Sequence, residues 1–234
     1  MTSNQQPQLQ LSLRELSGFA LFRDLELNEI ADLCTGAEIR VHRHRELVFE
    51  SGQRANRFGF VLSGAYKLSR ISPSGEDAVI YFSCPGDVVA ALVMPQPNST
   101  YPVSVRSMGP SRMLVISRDV YNEKWLARPP LIIQVQSLLS TRMVRFQNHR
   151  AMQRAPLSSK VAALLLQLAA NETTEEEISI PIPLTRKEIA ETLGATVESV
   201  IRVMSEWDKK GIINTTEQNI KILQPALLVE QTEG

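Results

Sequence analysis

The run Leu184 to Gly211, LTRKEIAETLGATVESVIRVMSEWDKKG, contains two helix starts and one forced helix stop, and few folds accommodate that. Thr185 followed by Glu188 is a capping box, in which hydroxyl and carboxylate each accept from a free amide of a first helical turn. Ile189, Ala190 and Leu193 give this helix its apolar side, and Gly194 ends it by tolerating a left-handed backbone. Thr196 then caps a second helix whose inner side is Val200, Val203, Met204 and Trp207. Two short helices joined by a tight glycine turn form a helix-turn-helix, which lays the N-terminal end of its second helix in the DNA major groove. Beyond Gly211, the stretch Ile212 to Asn214, a turn from Thr215 to Asn219 and Ile220 to Leu223 predict a β-hairpin, making the unit a winged helix. With Glu217 at its tip, the wing is a poor source of cations.

The outward residues of the second helix suit base reading. Glu198 and Arg202 are four apart and project from one side. A carboxylate accepts from cytosine N4, and a guanidinium grips guanine O6 and N7. The same spacing also makes an ordinary surface salt bridge, so it is the helix-turn-helix setting that favours the bases. The expected DNA-binding set is Thr185, Arg186, Lys187, Thr196, Val197, Glu198, Ser199, Ile201 and Arg202. Ala155 to Leu223 carries seven Lys or Arg against ten Asp or Glu, so affinity for phosphate must come from where charges lie, not from their sum.

The first half has a different rhythm. Gly52, Gly64, Gly75 and Gly86 recur at steps of twelve, eleven and eleven residues, the turn spacing of a sandwich or barrel of short strands. Candidate strands are Glu46 to Glu50, Gly59 to Leu62, Tyr66 to Ile71 and Ala78 to Ser83, with Ser72-Pro73-Ser74-Gly75 as a hairpin turn between the last two. Leu25 to Leu33 has helical spacing and is expected to cap the sheet. After Arg128-Pro129-Pro130, the run Leu131 to Arg154 has no glycine or proline and predicts one long helix. Ile132, Val135, Leu139, Met143 and Phe146 form a narrow seam along it, flanked by Arg142, Arg145 and Arg150, a shape suited to pairing with a second copy; the alternative is packing on its own β-domain alone. Pro156 stops the helix and marks a boundary. Leu157 to Ala170 reads as a core helix, Thr173 to Glu177 as a solvated acidic connector, and Ile178, Ile180 and Ile182 as an edge strand. The expected fold class is α+β: an N-terminal β-roll (1–118), a linking and dimerisation helix (119–154), and a C-terminal winged helix-turn-helix (155–234).

Charge excludes a global basic bias, since 25 Lys and Arg balance 25 Asp and Glu. Two cysteines make no disulfide framework, and the start MTSNQQPQLQ lacks the basic and apolar regions of a secretion signal, so a cytoplasmic location is expected. The longest apolar stretch, Val161 to Ala170, is interrupted by Gln167 and too short for a bilayer, which argues against a membrane partner.

A β-roll with regular glycines, a long helix and the string TRKEIAETLGATVESVIRVM together resemble the CRP/FNR family of bacterial transcription regulators, over roughly residues 20 to 223. The resemblance implies a cyclic-nucleotide-binding-like jelly roll and a homodimer joined through the long helix. It also implies binding to a two-fold symmetric operator in double-stranded DNA, with Glu198 and Arg202 reading a TGA core in each half-site. RNA polymerase would be a further partner of an activator. The Thr196-Val197-Glu198-Ser199 stretch resembles the FNR branch, where many members carry serine at the place of Ile201; an isoleucine offers only apolar contact, such as to a thymine methyl.

The sensory half departs from both familiar signals of that family. Members that bind cyclic AMP carry a glutamate for the ribose and an arginine for the phosphate after the Pro85-Gly86-Asp87 turn; here the glutamate's place is Ala91 and the arginine's is Tyr101. Without a guanidinium the phosphate loses its charge-assisted hydrogen bonds. Iron–sulfur members need four cysteines, whereas Cys34 and Cys84 are the only two here and read as buried and inert. The expected effector pocket is Ala90, Ala91, Leu92, Tyr101 and Pro102, its small-molecule effector unidentified, with no cofactor. An alternative is a metal-binding cupin-type enzyme using the β-roll, with His42 and His44 as ligands. The carboxylate such a site needs is out of step, since Val48 and Phe49 stand where it belongs and Glu50 follows. With Arg40, Arg43 and Arg45 nearby, the plainer expectation is a solvated basic strand edge.

Overall fold

The structure is a computed structural model that describes residues 13–71, 77–151, 155–169, 177–180, 182–216 and 218–233, with backbone alone at 77, 145–151 and 233. The expected turn at 72–75, most of the 173–177 connector and Glu217 at the wing tip lie outside the described residues.

Two four-stranded antiparallel sheets form the first half. One runs β1 (Glu38–His42), β8 (Ser111–Ser117), β3 (Arg57–Ser63), β6 (Val88–Val89); the other runs β2 (Leu47–Phe49), β7 (Ser104–Ser107), β4 (Tyr66–Ile71), β5 (Asp77–Ser83). Every expected strand is present, shifted by a residue or two. The glycine rhythm has a direct cause: Gly52, Gly64 and Gly86 all hold positive φ between strands. At Gly64 a Cβ would also sit 2.6 Å from the Pro110 carbonyl, so no other residue fits there.

Helix α1 (Leu27–Leu33) and a π-helical turn (Tyr121–Trp125) close one end of the roll. Trp125 is fully buried there, stacked on Tyr121 and edge-on to Phe22 and Phe58, and its Nε1 donates to the Leu33 carbonyl at 3.1 Å. Cys34 is buried as expected, and burial pushes its thiol up to about 12, which keeps it protonated and unreactive.

His42 corrects the sequence reading. It is buried, not solvated, because the last residue of β1 points inward, and its Nδ1 meets the Tyr66 hydroxyl at 2.9 Å. His44 Nδ1 instead accepts from the Gly109 amide at 3.0 Å, so the two rings serve separate structural bonds. Among the described residues no three His, Cys, Asp or Glu are grouped to hold a metal. Burial holds the His42 imidazole below its ordinary 6.5, with the Glu46 carboxylate opposing and Arg40 adding to the shift. The unfolded chain therefore takes up this proton first as pH falls, and the native state loses stability below about 6.5 while being unaffected above it. The drop in urea midpoint between about pH 7.5 and 5.5 should be smaller in His42→Gln than in the wild type; an equal drop would contradict this.

The long helix α2 (Pro129–Ala151) forms where expected. Its seam does not face solvent as a unit. Val135 is 3% exposed and packs with Leu131 in the β-roll core, while Ile132 and Leu139 are half-buried against the same core. The 3.6-residue period puts 132, 135 and 139 on one side of the helix, and in the fold that side lies on the roll. The apolar side chains of α2 that stay more than half exposed are Ile133 and Val144, with Met143 from the expected seam; the side chain of Phe146 lies outside the described residues.

In the second half, α3 (Leu157–Ala169) is the expected core helix, and a small sheet β10 (Ile213–Thr216), β11 (Asn219–Ile222), β9 (Ile178–Ser179) contains both the wing hairpin and the edge strand. The sequence reading missed α6 (Pro225–Glu233), which packs on α3 through the fully buried Leu228. The two halves share one apolar cluster, in which Ala65, Phe82 and Met108 of the roll meet Leu165 and Ile189. Among the described residues no helix is long and apolar enough to cross a membrane.

Candidate functional site

The helix-turn-helix consists of α4 (Arg186–Leu193) and α5 (Val197–Lys209). The capping box is complete: Thr185 Oγ1 accepts from the Glu188 amide at 3.1 Å, and Glu188 Oε2 accepts from the Thr185 amide at 2.9 Å. Gly194 takes φ +62°, and Thr196 Oγ1 accepts from the Ser199 amide at 3.3 Å to open α5. Val200, Met204 and Trp207 are buried and Val203 partly so, which fixes the rotation of α5. That rotation leaves Glu198, Ile201 and Arg202 outward on the first two turns. Neither Glu198 nor Arg202 makes an ion pair among the described residues, so the surface salt bridge that their spacing also allowed is not formed. Their hydrogen-bonding groups are available to a ligand, and the first-turn carboxylate is favourable at this end of the helix.

The other expected contacts divide. Lys187 is 74% exposed and only 3.8 Å from Glu191, a loose pair that leaves its charge free for phosphate. Thr185 and Thr196 spend their hydroxyls on the caps, while Val197 and Ser199 are half-buried at the start of α5. Arg186 is half-buried too; desolvation holds its guanidinium below the usual range, opposed by Asp208. Asp208 Oδ1 also accepts from the Thr215 amide at 3.0 Å, so Arg186 lies where α4, α5 and the wing join. α4 is also docked on the roll: Arg45 reaches Glu188 at 3.7 Å, beside a crevice of about 330 Å³ lined by Lys67, Arg106 and Lys187.

A second feature lies between the roll and α2. A cavity of about 570 Å³ is lined by all five residues expected of an effector pocket, Ala90, Ala91, Leu92, Tyr101 and Pro102, with Leu139 and Met143 from the helix. Ala90 reaches this wall in the left-handed region at φ +65°, unusual for a residue with a Cβ. Tyr101 has no hydroxyl to offer, because its OH donates to the Arg57 carbonyl at 2.8 Å while its ring stacks on Phe49.

The charged group of this cavity was missed in the sequence. Arg142 reads there as a flank of the seam, yet it turns inward under the helix. Its Nη2 donates to the Val88 carbonyl at 3.0 Å and lies 3.4 Å from Asp87 Oδ1, with the guanidinium 4.5 Å above the Tyr81 ring. The available signal was spacing: Arg142 follows the buried Val135 by two helical turns.

Comparison with known proteins agrees with this geometry. A cyclic nucleotide-binding domain is matched at residues 39–125 and a Crp-like helix-turn-helix domain at 159–231. The chain is 26% identical over 216 residues to the nitrogen fixation regulation protein FixK of Bradyrhizobium diazoefficiens, covering 86% of this chain and 89% of FixK. It is also 26% identical over 213 residues to a CRP-like cAMP-activated global transcriptional regulator of Mycobacterium tuberculosis, covering 88% and 93%. The solved structure of FixK2 from Bradyrhizobium japonicum has the same fold, with a TM-score of 0.71 at 17% identity over 83% of this chain and 96% of that one. A nucleotide-binding-type roll, a connecting long helix and a Crp-like helix-turn-helix, aligned in this order along nearly whole relatives, place the chain in the CRP/FNR family of DNA-binding transcription regulators.

Proposed function

We propose that the protein acts as a homodimer whose two α5 helices read an inverted repeat, each half-site containing TGA, under a signal other than cyclic AMP or under none. The observation that carries this reading is the unpaired, outward placement of Glu198 and Arg202 on the capped first turns of α5. Arg202 grips the guanine of TGA and Glu198 accepts from the cytosine opposite or beside it; Ile201, 45% exposed, covers a neighbouring base. Lys187 and the amides at the start of α5 serve phosphate. Residues 1–118 form the sensory part, 119–154 the linking and dimerising part, and 155–234 the DNA-binding part. The cavity beside Ala91 and Tyr101 is the effector site, RNA polymerase is the further partner if the protein activates, and no catalytic step is assigned to any residue.

Pairing of two copies is supported by Ile133, Met143 and Val144, apolar side chains of α2 left more than half exposed in the single chain. Two such helices packed side by side set the recognition helices in major grooves about 34 Å apart. Val144 is 54% exposed, so Val144→Glu leaves the single chain folded but buries a carboxylate at the interface, at a cost on the order of several kcal/mol. Sedimentation at micromolar concentration is expected to show a dimer for the wild type and a monomer for the variant, with operator binding lost alongside. A monomeric wild type would overturn the dimer.

A further inference from the structure

We propose that the crevice between the roll and the helix-turn-helix holds a backbone phosphate of the bound duplex, so that the sensory half touches DNA directly. This rests on the DNA-binding reading above and adds cations of the roll to its surface. The crevice, of about 330 Å³, is lined by Arg45, Lys67 and Arg106 from the roll and by Lys187, Glu188 and Glu191 from α4. Its four cations outnumber its two carboxylates, and both carboxylates have other work. Glu188 is buried, and its Oε2 accepts from the Thr185 amide and hydroxyl to cap α4, leaving Oε1 3.7 Å from Arg45. Glu191 stands 3.8 Å from Lys187.

Arg106 makes no ion pair among the described residues, and it lies directly opposite Lys67 in the register of β7 and β4. Like charges facing each other on a sheet destabilise it, and an anion seated between them turns that repulsion into attraction. Arg45 is held at the crevice by its backbone. Its φ of +64° is a conformation that costs a residue with a Cβ, and its amide donates to the Ser107 carbonyl at 2.9 Å. The Arg43 amide donates to Glu46 Oε2 at 2.9 Å and closes the same turn. Glycine takes that φ without strain, yet the position carries a guanidinium that is 64% exposed.

Cations at this place answer a shortage. Residues 155–223 carry seven Lys or Arg against ten Asp or Glu, so the helix-turn-helix half alone is poor in charge for a polyanion. The first helix of such a unit crosses the DNA backbone. Lys187 lies in the first turn of α4, 74% exposed, and is at once the residue assigned to phosphate above and a wall of the crevice. The strand that it meets therefore runs on to Arg45 and Arg106, whose forked guanidiniums suit phosphate oxygens. A phosphate held here binds both halves of the chain in their docked arrangement.

The test is fluorescence anisotropy of the full chain on its selected operator, with salt varied from about 0.05 to 0.2 M. Arg106→Gln is expected to bind about tenfold more weakly and to lower the slope of log affinity against log salt by about one unit per chain, about two per dimer. Preference among single-base variants of the site should not change. Arg45→Gly, which also relieves the positive φ, is expected to act the same way and keeps the test available should Arg106→Gln not fold. Arg70→Gln removes an exposed cation of the same sheet that does not line the crevice, and is expected to leave the slope as it is. An unchanged slope in either folded crevice variant, or an equal fall in Arg70→Gln, would overturn the proposal. An unchanged slope in a chain whose melting temperature inorganic phosphate raises would give the crevice to a small anion and overturn it as well. If the chain selects no repeat, the slopes are read on unrelated duplex: a fall there leaves this contact standing without base reading, whereas a selected repeat with unchanged slopes removes the contact and leaves base reading intact.

Discussion

Replacing Arg202 with Ala is expected to lower affinity for the preferred inverted repeat by about 2–6 kcal/mol, because a dimer loses the same bidentate contact in both half-sites and each is worth about 1–3 kcal/mol. The shape of the loss matters as much as its size. Arg202 lies outward on α5 and is not tied to another protein group by an ion pair among the described residues, so its removal leaves the caps and the Val200, Met204 and Trp207 core intact. Preference at the guanine should therefore flatten while affinity for unrelated duplex changes little. Lys187→Ala gives the contrasting signature, a uniform loss with a salt slope shallower by about one unit per contact. Competition binding with single-base variants of the site reads both. Retained preference for the guanine in Arg202→Ala would show that another residue reads it.

The largest effect on stability is expected for Trp125→Ala, at about 3–5 kcal/mol from lost burial and the cavity left behind. Trp125 meets the rings of Phe22 and Phe58 from other parts of the roll, stacks on Tyr121 of its own turn, and satisfies the carbonyl of Leu33. Against a typical total of about 5–15 kcal/mol, the loss is a large share of what a domain holds. A urea titration followed by far-ultraviolet circular dichroism should show the midpoint falling steeply with the slope little changed; a shift under about 1 kcal/mol would mean that the π-helical turn is not a keystone of the roll.

Local signals in the sequence were legible wherever a residue type has one structural use. Thr185 with Glu188, Gly194 and Thr196 gave the helix-turn-helix to the residue, because caps and a left-handed stop depend on neighbours within four positions. Gly52, Gly64 and Gly86 marked the roll for the same reason. What failed was direction on α2. A seam of Ile132, Val135 and Leu139 is equally apolar whether it meets a second copy or its own sheet, and only the fold shows that Val135 goes inward. Arg142 was hidden by the habit of long cations to extend along a surface, and its inward turn depends on the Val88 carbonyl and Asp87, more than fifty residues away in sequence. His42 was misjudged because Arg40 before it and Arg43 and Arg45 beyond the strand end suggested solvent, whereas the ring itself is covered and meets Tyr66, twenty-four residues away in sequence. Helix α6 has a weak pattern of its own and gains its place from α3 through Leu228.

The central claim is that two copies of α5 read DNA sequence, and selection of duplexes from a random-sequence pool by the full-length wild-type chain tests it most directly. The expected product is an inverted repeat with TGA in each half and half-site centres roughly 34 Å apart, one turn of the double helix. Enrichment of a single unrepeated element, or of no sequence at all, would contradict it.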